Sequence, residues 1–294
     1  MSSTPSDKRP SRVTTTRLTE MKAAGERIVM ITAYDAPGAR LADAAGVDSI
    51  LVGDSLGMTV LGYDSTLPVT MDDMVRATAA VSRGTSHALV VADLPFLSYQ
   101  VSVEDAIRNA GRLLTEGGAQ AVKLEGGVEV TDLVGILVDA GIPVVGHVGL
   151  TPQSVNVFGG YKTQGKSTEG ALDLVEDCRA LEAAGACAIV LELIPAELAE
   201  LVSEEIAIPT IGIGAGAGCD GQVQVFHDVL GLGDFTPRHA RRFAEVGAAI
   251  TAAIAEYAGE VRSGVFPAEA QLSHLDEDVL AELERALPLT EGDD

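Results

Sequence analysis

Short apolar runs rich in β-branched residues recur along the chain and alternate with Ala-rich stretches of helical period. The runs are Arg27–Thr32, Ser49–Val52, Leu89–Ala92, Ala121–Leu124, Pro143–Gly146, Ala188–Leu191 and Pro209–Gly212, with a weaker eighth around Gln222–Phe226. Between them "DMVRATAAVSRG", "SVEDAIRNAGRLLTEGGA" and "EGALDLVEDCRALEAAGA" read as helices, the last two stopping at glycine. The runs are almost continuously apolar, the mark of parallel strands buried on both faces. Eight such strand–helix units in about 250 residues match an α/β protein of the (β/α)8 or TIM-barrel type. An open doubly wound sheet is the rival arrangement. No linker or short repeat interrupts the pattern. Residues 1–14 read as a mobile polar tail, 15–267 as one barrel domain, and 268–294 as an acidic C-terminal helix and tail.

Composition adds that 47% of the 294 residues are apolar, enough for a large core. The formal charge is -23, from 43 acidic and 20 basic side chains. Such a field repels phosphate backbones and anionic lipid, so neither nucleic acid nor a membrane surface is expected as partner. An acidic exterior on an apolar core suggests a halophile, whose high salt screens the self-repulsion. An ordinary acidic cytosolic protein is the alternative. Cys178, Cys187 and Cys219 show no paired spacing and read as reduced thiols of a cytoplasm. The opening "MSSTPSDKRPSR" is polar and no apolar stretch follows it, so no signal peptide is expected. Nor is there an apolar run of about 18 residues that would span a membrane.

The strand ends carry the chemistry. In a parallel barrel all C-terminal strand ends meet on one face, and that face holds the site. Successive runs end at Tyr34–Asp35, Asp54–Ser55, Asp93, Lys123 with Glu125, His147, and Glu192. Four of these groups, Asp54, Asp93, Glu125 and Glu192, are carboxylates, and Lys123 alone cannot compensate them. Crowded carboxylates must be protonated, paired or ligated. Oxygen-only donors favour Mg²⁺ or Mn²⁺, and Mg²⁺ takes one or two carboxylates while leaving positions for water and substrate.

The stretches "ILVGDSLGMTV", "VVADLPFLSY", "AVKLEGG", "GHVGLTPQSVNVFGGYKTQGK", "IVLELIP" and "IPTIGIGAGAGCDGQVQVFHDVLGL" resemble the ketopantoate hydroxymethyltransferase family in order and spacing, over about residues 12–267. The resemblance implies a (β/α)8 barrel of the phosphoenolpyruvate/pyruvate-type superfamily. It implies transfer of a hydroxymethyl group from 5,10-methylenetetrahydrofolate to 3-methyl-2-oxobutanoate through a Mg²⁺-stabilised enolate, an early step towards pantothenate and coenzyme A. A folate-type pterin of another kind is an alternative donor. The resemblance further implies a homo-oligomer, commonly a decamer. Carried over residue by residue, Asp54 and Asp93 match metal ligands that also border the substrate. Glu125 matches a carboxylate close to the metal, Ser55 and Lys123 match ketoacid contacts, and Glu192 matches the general base.

Other signals have plainer readings. "GIGAGAG" lacks the Lys-Ser/Thr of a phosphate loop and reads as tight backbone packing. His147 either lines the site or bonds to backbone, and "FGGYKTQGKS" is either a lid or a plain connection. Tyr34 and Asp35 read as supports of the site mouth. Two other functions stay open: an enolate-forming carbon–carbon lyase of the same barrel type, and a non-catalytic scaffold. The lyases carry a cysteine motif of the KKCGH kind, absent here, and an unused cluster of like charges would only destabilise a scaffold.

Overall fold

The computed structural model describes residues 12–287. Its strands are β1 (Ile28–Thr32), β2 (Ser49–Val52), β3 (Leu89–Asp93), β4 (Ala121–Lys123), β5 (Val144–Gly149), β6 (Ala188–Glu192), β7 (Thr210–Ile213) and β8 (Gly221–Gln224). Each pairs in parallel with the next, and β8 returns to β1 to close the barrel, which excludes the open sheet. Closure brings Gly221 opposite Ile28, and any Cβ on residue 221 would lie 2.5 Å from the Ile28 carbonyl oxygen. Only glycine permits that approach. The eighth strand ends two residues before expectation. The Phe226 N–H turns to the Thr32 hydroxyl at 2.9 Å, and a short helix, Phe226–Leu230, begins there.

Alternation along the strands divides the core into two layers. Leu51, Leu89, Val91, Ala121, Val145, Ala188 and Val190 belong to one apolar cluster, the barrel interior. Ile50, Val52, Val90, Ala92, Val122, Val144 and Ile189 belong to the other, packed with helical Leu113, Leu137 and Leu181. Extending the inner parity by one step along each strand gives Asp93, Lys123, His147 and Glu192. The ionisable groups are therefore the last inward layer of the barrel.

The opposite end is plugged by helix Thr15–Ala23, whose Leu18 and Met21 join the inner cluster. Lys22 fixes it by donating to the Ser203 and Ile208 carbonyls and pairing with Asp220. Of the tail expected over 1–14, residues 1–11 lie outside the described residues. Residues 12–14 are not a tail: Arg12 bonds to Gln120 and the Thr85 carbonyl, and the buried Val13 donates its N–H to the His87 carbonyl. By contacts the chain groups into residues up to Ala244 and residues from Glu245 on. The second group holds helices Val246–Ser263 and Glu277–Ala286, in neither of which is any residue buried. Of the segment 268–294, helix Glu277–Ala286 is described and residues 288–294 lie outside the described ones. Among the described residues no helix is long and apolar enough to cross a membrane.

Asp43 clamps the turn that leads into β3. Its carboxylate accepts from the N–H of Ser86 at 2.9 Å, of His87 at 3.0 Å and of Ala88 at 2.8 Å. Burial alone would raise its pKa, but these bonds outweigh burial and lower it. A depressed carboxylate contributes stability above its unfolded pKa and loses it as pH falls through the folded value. Asp43→Ala should cost about 1–3 kcal/mol at neutral pH. Thermal melts between pH 7 and 3 should show wild type and variant converging at the acid end.

Candidate active site

Asp54 is buried in the turn after β2, where Gly53 lets the chain fold close: a Cβ at residue 53 would stand 2.9 Å from the Ser55 hydroxyl. The Asp54 N–H donates to Asp93 Oδ2 at 3.1 Å, which joins the ends of β2 and β3. Lys123 Nζ lies 2.9 Å from Asp93 Oδ1 and 3.3 Å from His147 Nδ1. His147 Nδ1 is 3.5 Å from Glu125 Oε1, and its Nε2 is 3.3 Å from Glu192 Oε2. The expected residues thus form one network over β2 to β6. Asp54, Asp93, Lys123, Glu125 and His147 are buried, and Glu192 is partly open, its side chain 15% exposed. Ser55 adjoins the network through its hydroxyl, 2.9 Å from the Tyr34 phenol. The Asp54 carboxylate does not cap the short helix Leu56–Thr59 that follows it.

The electrostatics follow from burial and crowding. Burial raises the Asp54 pKa well above the ordinary range, and the Asp93 and Glu125 charges push it further. Burial also raises Asp93, against the pull of Lys123. Burial would lower Lys123, but Asp93, Glu125 and Asp54 outweigh it and keep the ammonium charged. For His147, burial and Lys123 push down, and the bonds to Glu125 and Glu192 prevail, raising it to about 9.

Sequence reasoning missed two members. Gln153, in the turn Pro152–Ser154 after β5, donates its side-chain N–H to Asp54 Oδ2 at 2.8 Å and its backbone N–H to Glu125 Oε2 at 2.9 Å. The Tyr99 phenol reaches Gln153 Oε1 at 3.0 Å. Both are neutral, so a search for ionisable strand ends passes over them, although "LTPQS" follows directly on β5. His147 is resolved in favour of the site. Tyr34 supports Ser55, and Asp35 caps helix Ala36–Ala44 through the Gly38 N–H. The 158–167 loop crosses between two strand ends: Tyr161 OH stands 3.8 Å from Met58 Sδ, and the Gln164 N–H donates to the Leu193 carbonyl at 2.9 Å. The Tyr161 phenol is raised by burial and then by the charges of Glu192, Asp54 and Glu125, so the loop faces the cluster.

Among the described residues no trio of His, Cys, Asp or Glu forms a ready-made metal cage. The donor set still suits a hard ion that shares its shell with water and substrate. Its donors are buried carboxylate oxygens, and Lys123 beside Asp93 Oδ1 is the ammonium set against them.

The model of the ketopantoate hydroxymethyltransferase family matches residues 12–269. The chain belongs to that family. It is 56% identical over 277 residues to the 3-methyl-2-oxobutanoate hydroxymethyltransferase of Dehalococcoides mccartyi, covering 94% of this chain and 99% of the relative. The enzyme of that name from Acetivibrio thermocellus is 53% identical, over 93% of this chain and 97% of its own. As a member of the family the chain is a transferase. The fold extends further. A phosphoenolpyruvate phosphomutase from Streptomyces platensis superposes with a TM-score of 0.59 at 16% identity, over 94% of this chain and 99% of its own. A 2,3-dimethylmalate lyase of the PEP mutase/isocitrate lyase superfamily gives 0.56 at 19%, over 92% and 98%. The expected (β/α)8 barrel is the fold observed.

Removing one like charge should relax the cluster. Asp54→Asn keeps an acceptor for Gln153 and deletes the carboxylate most strongly pushed up by its neighbours. In chelator-treated protein its melting temperature should rise by about 2–4 °C, the effect of one kcal/mol in a domain of this size, while activity is abolished. Calorimetry with EDTA present measures the rise.

Proposed function

We propose that this transferase moves a hydroxymethyl group from 5,10-methylenetetrahydrofolate to 3-methyl-2-oxobutanoate, giving 2-dehydropantoate for pantothenate and coenzyme A synthesis. The reading is carried by one observation within a family of this activity: a charged Lys123 and a partly open Glu192 flank the same group of buried carboxylates.

Asp54 and Asp93 would hold a divalent cation, Mg²⁺, with Glu125 close behind. When bound, the ion supplies Lewis-acid polarisation of the keto group. The protein's own residues account for the rest. Glu192 is the carboxylate nearest the open mouth, oriented by His147 at 3.3 Å. As base it takes the C3 proton of the ketoacid, and the C–H electron pair moves into the enolate. The Lys123 ammonium stands where charge develops on the enolate oxygen. Carbon three then attacks the methylene carbon of the folate as one of its two C–N bonds breaks; water replaces the second nitrogen and supplies the hydroxyl oxygen, and tetrahydrofolate leaves carrying the proton taken from C3 and one proton of that water. Ser55, held by Tyr34, offers a hydroxyl to the ketoacid carboxylate.

Glu192→Gln should lower kcat by about 10²–10⁴-fold and stop exchange of the C3 hydrogen with D₂O, leaving ketoacid binding nearly intact. Exchange at the normal rate in the variant would remove Glu192 as base. Folate-dependent consumption of the ketoacid should cease in EDTA and return with added Mg²⁺, and activity that persists in EDTA would sink the metal reading.

We also propose a cytoplasmic homo-oligomer adapted to high salt. Self-association is supported by Ile250, Ile254, Tyr257 and Val261, exposed apolar residues at helical spacing on one helix. Salt adaptation is supported by the charge of -23. Light scattering in molar salt should give a multiple of 30.3 kDa. In dilute buffer the assembly and its activity should be lost, and an active 30.3 kDa species there would overturn both.

A further inference from the structure

Gln153 is an uncharged residue hydrogen-bonded to two carboxylates of the cluster. Its side chain and backbone reach two carboxylates that come from different strands, Asp54 after β2 and Glu125 after β4. The side-chain amide is nearly saturated: Nε2 donates to Asp54 Oδ2 at 2.8 Å and to the Leu94 carbonyl at 2.9 Å, and Oε1 faces the Tyr99 phenol at 3.0 Å. A flipped amide would set its oxygen against a carboxylate and a carbonyl, so the neighbours admit only one orientation. Tyr99 is in turn tied to residue 125, its hydroxyl 3.0 Å from the Glu125 carbonyl and 3.3 Å from the Glu125 N–H. Gln153 is 5% exposed and Tyr99 4%, so water does not compete for these bonds.

The consequence concerns direction. A carboxylate buried among like charges is driven to rotate away from them. Gln153 opposes this for Asp54 by engaging Oδ2 and for Glu125 by engaging Oε2. The other oxygen of each carboxylate is left to the cluster. A neutral amide does this without adding charge, which a lysine in its place would do.

We propose that Gln153, backed by Tyr99, is a positioning residue that sets the orientation of the Asp54 and Glu125 carboxylates and thereby the affinity of the cation site. The effect on affinity rests on the metal reading above; the effect on orientation does not.

The test uses Gln153→Met, which keeps volume and the backbone N–H but removes every side-chain hydrogen bond, and Tyr99→Phe, which removes one hydroxyl. Mn²⁺ is the probe, titrated into full-length metal-free protein and followed by electron paramagnetic resonance. Gln153→Met should weaken Mn²⁺ binding by about 10–100-fold, the usual effect of removing an orienting partner of a ligand. At saturating metal the KM for the ketoacid should change far less. Tyr99→Phe should give a smaller loss, and the double variant should lose more than Gln153→Met alone, because the Tyr99 hydroxyl also holds the Glu125 backbone directly. Crystal structures of metal-free wild type and Gln153→Met supply the second readout, and Asp54 should adopt a new rotamer in the variant. Wild-type-like Mn²⁺ affinity in Gln153→Met, or an Asp54 rotamer unchanged in it, would overturn the proposal. Wild-type protein that binds no Mn²⁺ would sink the metal reading instead, and the rotamers would still decide the positioning role.

Discussion

Like charges gathered where water is scarce repel, and the structure at the top of this barrel is organised around that repulsion. Two unit charges about 4 Å apart interact by about 4 kcal/mol at the effective dielectric of a protein site. Asp54, Asp93, Glu125 and Glu192 cannot be held together by side-chain packing alone against terms of that size. Directed donors do it instead. Lys123 stands against Asp93, the Asp54 N–H takes the other Asp93 oxygen, and the Gln153 amide takes Asp54. Each donor is fixed by an element of the barrel, so none can leave when a neighbour pushes. The negative charge that remains uncompensated is the basis of the proposed cation site.

The barrel makes this affordable through its alternation. Apolar residues occupy the inner layers on β3 to β6, and the ionisable groups occupy only the last one. Had the strands been one residue longer or shifted in register, the same side chains would face the helices, among the buried leucines of the outer layer. The plug formed by Leu18 and Met21 keeps water from the far end. Charge is therefore confined to the one layer that opens to the mouth, through Glu192.

Much of this was legible in the chain, because the controlling variables are local. The eight apolar runs locate the strands, since β-branched runs of that length have few other uses. The residue that ends each run reveals the site, because parallel strands bring their ends to one face. Gln153 and Tyr99 were not legible: their role depends on which acceptors lie opposite across β2 and β4, and no local pattern encodes that. His147 was undecided for the same reason, as an inward histidine acquires its meaning only from Glu125 and Glu192 on either side. Arg12–Thr14 look like a tail because their partners, Gln120, Thr85 and His87, lie far along the chain.

The protein carries two excesses of negative charge, and they obey different physics. The charge of -23 is spread over the whole chain, where mobile salt within a Debye length of about 8 Å can screen the exposed part of it. The cluster of Asp54, Asp93 and Glu125 is buried, and bulk salt does not enter there. Its repulsion is relieved only by protonation, which burial and crowding already favour for Asp54 and Asp93, or by an ion that sheds water to sit among them. Changing the salt therefore acts on the outer surface, and on the proposed reading one specific cation acts on the chemistry. A neutral residue such as Gln153 matters in the second regime alone, because direction counts only where screening is absent.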